Sequence, residues 1–321
     1  MANFFSRNWG RFGLLGINVV FWLIFALVSP AFLDPFNIFT VLRLASVAIV
    51  IGYSQMVTLS TGEMNLSVGA LGGLMALLNG GLMEAAGVPP IWAMIITLIV
   101  AGLLGMCNGL LVTGTGISSF VITLATGSIF AGIMFITTQG NSYSALPPDF
   151  VAFGKERLFG LPLSPLVLIM LVTALLLYAL YRNTALGREM LAVGANREAA
   201  RMSGVRSHRV IVISHIMSGA LAGLAAVMTN AMLGSAVLAT GTDWLMPSFV
   251  APALGGTLMS GGYVSVFGTL LGGLLIGTLN SGVLLLGITN FWLQFFLGVV
   301  LLLAIGLDRL RAVYSERTIA Q

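Results

Sequence analysis

From about residue 12 to residue 307 the chain returns repeatedly to apolar runs close to twenty residues long, set apart by short polar or Pro/Gly-rich breaks. Twenty residues of helix match the hydrocarbon thickness of a bilayer, and in that solvent a backbone must satisfy its own polar groups. Apolar runs are read near 12–29, 38–60, 66–82, 91–112, 117–138, 164–182, 209–231, 244–259, 264–286 and 291–307. The expected fold is an all-α integral membrane protein of about ten transmembrane helices, a single transmembrane domain over 1–321. Only 7% of the residues are charged and 58% are hydrophobic, against about 25% charged in a soluble domain, which excludes soluble and disordered classes. The short run 244–259 and the Gly-rich stretch 60–73 are the places where a broken or re-entrant helix is expected. The first run follows Arg7 and Arg11 without a small-residue cleavage site, which reads as an uncleaved anchor.

Orientation follows from where the few cations lie. Of the 14 Lys and Arg residues, most fall in three segments: Arg7 and Arg11 at the start; Arg182, Arg188, Arg197, Arg201, Arg206 and Arg209 in the middle; Arg309, Arg311 and Arg317 at the end. An even number of crossings separates these segments, so all three lie on the cytoplasmic side together with both termini. The longest outer loop is then 139–164, carrying Lys155 and Arg157, and 183–208 is the main cytoplasmic segment. Arg43 is expected to snorkel to the outer interface. A net charge of +4 this dispersed does not suit nucleic acid. A weak repeat is also visible: Asn108-Gly109 followed by Gly116-Ile117-Ser118-Ser119-Phe120, and Asn280-Ser281-Gly282 followed by Gly287-Ile288-Thr289-Asn290-Phe291. The two turns fall on opposite sides, as an inverted repeat of spans 2–5 on spans 7–10 requires.

Catalytic equipment is missing. The chain has no zinc-helix, nucleophile-elbow or Walker A pattern. Its two histidines, His208 and His215, have no third metal ligand nearby, and Cys107 is the single cysteine. No cofactor or metal is expected on this chain. The most polar stretch instead contains a helix signature: Asn196 as N-cap, Glu198 and Ala199-Ala200 in the first turn, and Gly204 as stop. Two turns of helix are marginal alone in water, so a cytoplasmic partner is expected to pack on them.

Three blocks carry a family resemblance. Gly187-Arg188, with Gly194-Ala195-Asn196-Arg197-Glu198-Ala199-Ala200-Arg201-Met202-Ser203-Gly204-Val205, resembles the coupling segment of bacterial monosaccharide ABC importer permeases of the ribose, xylose and arabinose type. Thr61-Gly62-Glu63-Met64-Asn65-Leu66-Ser67-Val68-Gly69 and Leu254-Gly255-Gly256-Thr257-Leu258-Met259-Ser260-Gly261-Gly262 resemble two further blocks of that family, in the same order. The resemblance implies an inner-membrane permease subunit that pairs with a second permease, identical or different, around a pathway for a monosaccharide or related polyol. It also implies a cytoplasmic ATPase, holding ATP and Mg on its own chain, that grips Asn196, Arg197, Glu198, Ala199, Ala200, Arg201, Ser203 and Gly204, and a periplasmic binding protein that delivers the sugar. A nucleoside-type permease of the same superfamily remains an alternative, and an ion-coupled secondary transporter is a more distant one.

The family usually has an aspartate where this chain has Asn65, and here a carboxylate stands two residues earlier as Glu63. Glu63 and Asn65 either cap the third helix or line the pathway or its gate, together with Ser67. Further candidate pathway groups are Ser119, Thr123 and Thr126, spaced for one helix face, with Gln55 and Asn108 elsewhere. For each hydroxyl the alternative is a bond to its own helix carbonyl. Polarity this sparse leaves recognition mostly to the binding protein, whose docking candidates on this chain are Lys155 and Arg157.

Overall fold

The computed structural model describes residues 2–287 together with 292, 294–299 and 302. Among the described residues the α-helices follow in the order α1 (Ala2–Val28), α2 (Pro35–Leu59), α3 (Val68–Glu84), α4 (Pro90–Thr115), α5 (Ser119–Thr138), α6 (Pro148–Lys155), α7 (Pro165–Asn183), α8 (Ala185–Ala195), α9 (Arg197–Met202), α10 (Ser207–Leu233), α11 (Leu245–Leu254) and α12 (Val266–Leu285), and no β-strand is formed. Local chemistry sets the starts. Asp34 and Ser164 each cap a helix with proline at its first position, accepting from the amides of Phe36 (2.8 Å) and Leu166 (3.3 Å). Thr184 Oγ1 accepts from Gly187 N to start α8, and Ser265 Oγ from Gly268 N to start α12, both at 3.1 Å.

Six helices are long and apolar enough to cross a membrane, α2, α4, α5, α7, α10 and α12; three shorter apolar stretches are Gly13–Val28, Val68–Glu84 and Leu245–Leu254. Together they fall on the first nine runs read from the sequence. The tenth, 291–307, is described only at 292, 294–299 and 302, and Arg309, Arg311, Arg317 and 288–291 of the second repeat turn lie outside the described residues. Burial separates a centre from a rim: the apolar windows of α2, α10 and α12 are 61–67% buried, those of α4, α5 and α7 only 28–39%. On α7 the exposed side chains Leu168, Leu171, Val172, Leu175 and Leu176 recur at helical spacing and form one apolar outer face. A stripe of that kind on a helix of spanning length belongs against lipid.

Small residues set the central crossings. On α4, a Cβ on Gly105 would lie 2.2 Å from His215 O, and one on Gly109 2.8 Å from Val212 Cα, so α10 lies directly on that helix. On α12, Gly273 and Gly277 meet Ile49 and Ala45 of α2 in the same way, at 2.5–2.6 Å. Both are Gly-x-x-x-Gly surfaces, which let backbones approach where no hydrophobic drive distinguishes helix from lipid. α1 is tied to α12 by Asn18 Nδ2 donating to Leu271 O (3.2 Å) and Trp22 Nε1 donating to Thr278 Oγ1 (3.0 Å).

Two spans are broken, one within the expected stretch 60–73, the other with its short helix in the expected run 244–259 but its unwound part ahead of that run. α3 is preceded by the non-helical segment 60–67, and α11, ten residues long, by the non-helical segment 234–244. Ten residues rise only ~15 Å, half the hydrocarbon thickness.

Candidate functional site

The break before α3 is built from side chains. Met64 N donates to Ser119 Oγ (3.0 Å), Leu66 N to Thr123 Oγ1 (2.9 Å) and Ser67 N to Asn65 Oδ1 (3.0 Å). The Gln55 carboxamide, turned as its surroundings require, accepts from Asn65 N (3.2 Å) and donates to Asn65 O (2.9 Å). Four successive backbone amides thus take side-chain partners in place of helix carbonyls, as backbone removed from water must. The network extends outward: Asn65 Nδ2 donates to Ser218 Oγ (2.9 Å) on α10, and Asn108 Nδ2 on α4 to Ser67 Oγ (2.8 Å). Gln55, Asn65, Ser67, Asn108 and Thr123 have no exposed surface. Ser67 Oγ donates in turn to Asn65 Oδ1 at 2.6 Å.

The structure therefore gathers Gln55, Asn65, Ser67, Asn108, Ser119 and Thr123 into one cluster, but as the scaffold of the break. Thr126 stands apart from the unwound backbone and gives its hydroxyl to Thr123 O on its own helix (3.3 Å). In this group the Asn108 Oδ1 atom alone is buried without a partner among the described residues. The capping expectation is corrected as well. Ser67 occupies the N-cap of α3 without a side-chain cap bond, Asn65 serves the Ser67 amide and hydroxyl just before the helix, and Glu63 points elsewhere.

Glu63 Oε1 lies 3.5 Å from Arg197 Nη1, with the carboxylate side chain 14% exposed. Arg197 opens α9, the expected two-turn helix. Asn196 Oδ1 caps it through Ala199 N (2.9 Å), Glu198 and Arg201 pair across it at 2.7 Å, and Gly204 follows it at φ 86°. Ala200 is buried, while Arg197, Glu198, Ala199 and Arg201 remain exposed. Ser203 and Gly204, with Glu189, Arg206 and Arg209, line a hollow of about 480 Å³ beside it. α8 holds α9 against the break: a Cβ on Gly194 would lie 2.1 Å from Ser60 O and 2.5 Å from Gly262 N. Residues of all three sequence blocks meet at this end of the bundle: a Cβ on Gly261 would lie 2.7 Å from Gly62 Cα and 2.9 Å from Gly194 O.

At the opposite end, segment 139–164 is more than a spacer. It contains α6, whose Gly154 lies on the α10 carbonyl of Ala231. The Arg157 guanidinium sits 5.4 Å from the Phe39 ring centroid, and Lys155 Nζ lies beside Gly234 at the end of α10. Arg43 does not simply snorkel. It donates to Met232 O in the last turn of α10 and stacks on Phe39 at 5.1 Å, a cation at a helix C-terminus. His215 is fully buried, with Nδ1 on Ile211 O (3.0 Å), and among the described residues no cluster of potential metal ligands occurs.

Sequence reasoning missed Asp243. It sits in the break before α11, exposed in this chain. The available signal was an acid flanked by Gly241-Thr242 and Trp244 immediately ahead of a run too short to span.

Long apolar helices around two broken ones, with no catalytic or metal cluster among the described residues, define a multi-pass membrane protein of the conduit class. Its family is the one described as branched-chain amino acid transport system / permease component, matched over residues 37–305, and the chain belongs to it. It is a transport permease subunit and not an enzyme. It is 35% identical to the ribose import permease protein of Bacillus subtilis (strain 168), covering 89% of each chain. It is 34% identical to the D-allose transport system permease protein of Escherichia coli (strain K12), over 95% of this chain and 94% of the relative. It is 30% identical to the autoinducer 2 import system permease protein of Escherichia coli O9:H4 (strain HS), over 98% of this chain and 92% of the relative. No solved structure matches.

Proposed function

We propose that this chain is the membrane subunit of an ATP-binding-cassette importer for a monosaccharide or related polyol, seated in the bacterial inner membrane with both termini and α9 cytoplasmic. The observation that carries the reading is α9 itself: a capped two-turn helix presenting Arg197, Glu198 and Arg201 outward while tied through Glu63 to the unwound start of a span. The permeases named for ribose, D-allose and autoinducer 2, similar over most of their length, support a small polyhydroxylated substrate. ATP and Mg reside on a partner ATPase that grips 196–204. A second permease completes the pathway, and a periplasmic binding protein docks at the end formed by 139–164.

In this mechanism ATP binding pulls α9. The Arg197 and Glu63 pair passes the displacement to segment 60–67, whose polar contacts with α5 are the hydrogen bonds of Met64 and Leu66 to Ser119 and Thr123, so that it can move relative to that helix. Alternating access requires two packings with different affinities for the partners, and a joint of this kind provides a bistable element. The ten-span count and the inverted repeat belong to the same reading. Their support is an exchange of neighbours: α4 lies on α10 as α12 lies on α2, each through a Gly-x-x-x-Gly surface. Gly116 and Gly287 also both end their helices in the left-handed region, at φ 72° and 66°.

The test is reconstitution of the chain with its ATPase and binding protein in proteoliposomes, followed by uptake of labelled D-ribose and D-allose. Uptake that requires both ATP and the binding protein is expected. Uptake driven by an ion gradient with the ATPase absent would refute the reading.

A further inference from the structure

The second break carries a group that the first does not. After α10, segment 234–244 turns back along α3. Ala236 lies against Gly80, Thr240 O against Gly73 and Gly241 O against Gly69, where added Cβ atoms would approach to 2.5, 2.5 and 2.3 Å. The segment thus passes eleven residues of α3, ~16 Å of rise. Its depth is fixed by α5: Gly127 lies 3.4 Å, by the same measure, from Ser67 Cα at the start of α3. Gly127 stands eight residues from one end of α5 and eleven from the other, ~12 and ~17 Å. Gly241 beside Gly69 is therefore near the middle of the span, and Asp243 is two residues further on.

Asp243 is consequently an ionisable side chain at mid-depth. Its carboxylate bonds to its own backbone amide and, among the described residues, to no other group. Thr242 next to it is exposed, and the Thr240 hydroxyl, in the same segment on a residue 6% exposed, has no partner among the described residues. Charge at that depth is expensive and persists where it faces a water-filled path or serves a substrate. The two breaks divide the work: in 60–67 the polar side chains are consumed by the backbone, whereas in 234–244 turns satisfy most of the backbone, Thr240 N on Val237 O (3.0 Å) and Thr242 N on Ala239 O (3.2 Å), with Ser142 Oγ taking Leu238 N (3.1 Å) and the Thr242 hydroxyl donating to Ala239 O (2.8 Å), which leaves its oxygen able to accept. The side chain of Asp243 is left over.

We propose that Asp243, with Thr242, is the station at mid-membrane where a neutral polyol is held during passage, the carboxylate accepting hydrogen bonds from two adjacent hydroxyls. An ionised carboxylate only accepts, so its ligand must donate, and a vicinal diol presents two donors to its two oxygens. An anionic solute is repelled at the same point. The inference rests on the sugar-importer reading and adds a recognition site within the membrane to that of the binding protein.

The complete importer tests it in two ways. In a Cys107→Ser background, Thr242→Cys should react with a membrane-impermeant methanethiosulfonate at least tenfold faster than Leu175→Cys on the apolar face of α7. Equal rates at the two positions mean that the segment is sealed from water and overturn the proposal, whatever the substrate. In proteoliposomes, Asp243→Asn should lower D-ribose uptake per ATP hydrolysed at least tenfold, with binding-protein-stimulated ATPase within twofold of wild type, and Asp243→Glu should restore more than half of the uptake. Unchanged uptake per ATP, or loss of stimulated ATPase in parallel with uptake, makes Asp243 dispensable or structural and overturns it. If wild type carries neither D-ribose nor D-allose, the sugar reading fails by itself, and the cysteine rates still decide whether the segment lines an aqueous path.

Discussion

At the scale of single residues, the amides of 64–67 show what an unwound membrane segment demands. Each needs an acceptor, and Ser119, Gln55, Thr123 and Asn65 provide one apiece. Replacing Gln55 by Leu leaves both the N–H and the C=O of Asn65 buried and unpaired, at a cost of about 3 kcal/mol. Thr126→Val removes a hydroxyl that serves only its own helix and should cost less than about 0.5 kcal/mol. Thermal melting of the detergent-solubilised variants separates them: a clear drop for Gln55→Leu and almost none for Thr126→Val. A larger drop for Thr126→Val would contradict the assignment of roles. The pairing of Glu63 with Arg197 is a partly exposed contact worth ~1 kcal/mol at most. Its value therefore lies in direction more than in stability. Glu63→Gln should leave the melting temperature within a few degrees of wild type while cutting sugar uptake about fivefold, and Glu63→Arg with Arg197→Glu should regain part of it. Undiminished uptake by Glu63→Gln at normal expression excludes the pair from coupling. From sequence, the polar residues of this cluster were visible but their task was not. A hydroxyl on a helix face reads the same whether it meets a solute or the backbone of a neighbouring segment, and only the position of the break tells them apart. Asp243 was overlooked because hydropathy placed it in a loop, outside the span that begins at Trp244, when its loop runs down into the bundle.

At the scale of elements, the long helices were legible because they obey one rule, a continuous apolar run, and α9 because its cap and stop are spelled out by Asn196 and Gly204. α8 was not legible as a helix. It contains Gly187 and Gly194, poor helix formers, in eleven residues. Their reason is contact: Gly187 lies on Leu180 O, and Gly194 is wedged between Ser60 O and Gly262 N. Gly194 thus brings α8, and with it α9, onto the turns at 60–62 and 261–262. A methyl group there has backbone on both sides and nothing that can rotate away. Gly194→Ala should push α8 off the bundle and uncouple the ATPase, lowering binding-protein-stimulated hydrolysis at least tenfold while assembled protein is still recovered from the membrane. Gly114→Ala, at a helical position with open space around it, serves as the matched control and should behave as wild type. Stimulated hydrolysis preserved in Gly194→Ala would show that the grip on α9 does not depend on its seating.

At the scale of the whole molecule, the two breaks are related by direction. Segment 60–67 rises from the Arg-rich end to meet α3 near mid-depth, and 234–244 descends from the opposite end to meet α11 there. α3 then continues one way and α11 the other, so two half-length solutions complete two crossings. The structure places Ser60 and Gly262 side by side, with Gly262 N donating to Ser60 O at 3.2 Å, so α11 must end on the same side as α8. Ten residues of helix reach that side only because the unwound segment has already covered the other half of the membrane. The run 244–259 counts as a crossing in the sequence, but a ten-residue helix judged by its own length would be an interfacial hairpin returning to its starting side, and only the unwound segment before it makes the crossing complete. In a Cys107→Ser background, Ser260→Cys and Arg188→Cys should react with an impermeant maleimide only in inside-out vesicles, and Glu156→Cys only in intact spheroplasts; all three side chains are exposed. If Ser260→Cys labels together with Glu156→Cys, the break before α11 does not cross the bilayer. The pairing of α3 with α11 about the midplane, and with it the inverted arrangement of the two halves, would then be wrong.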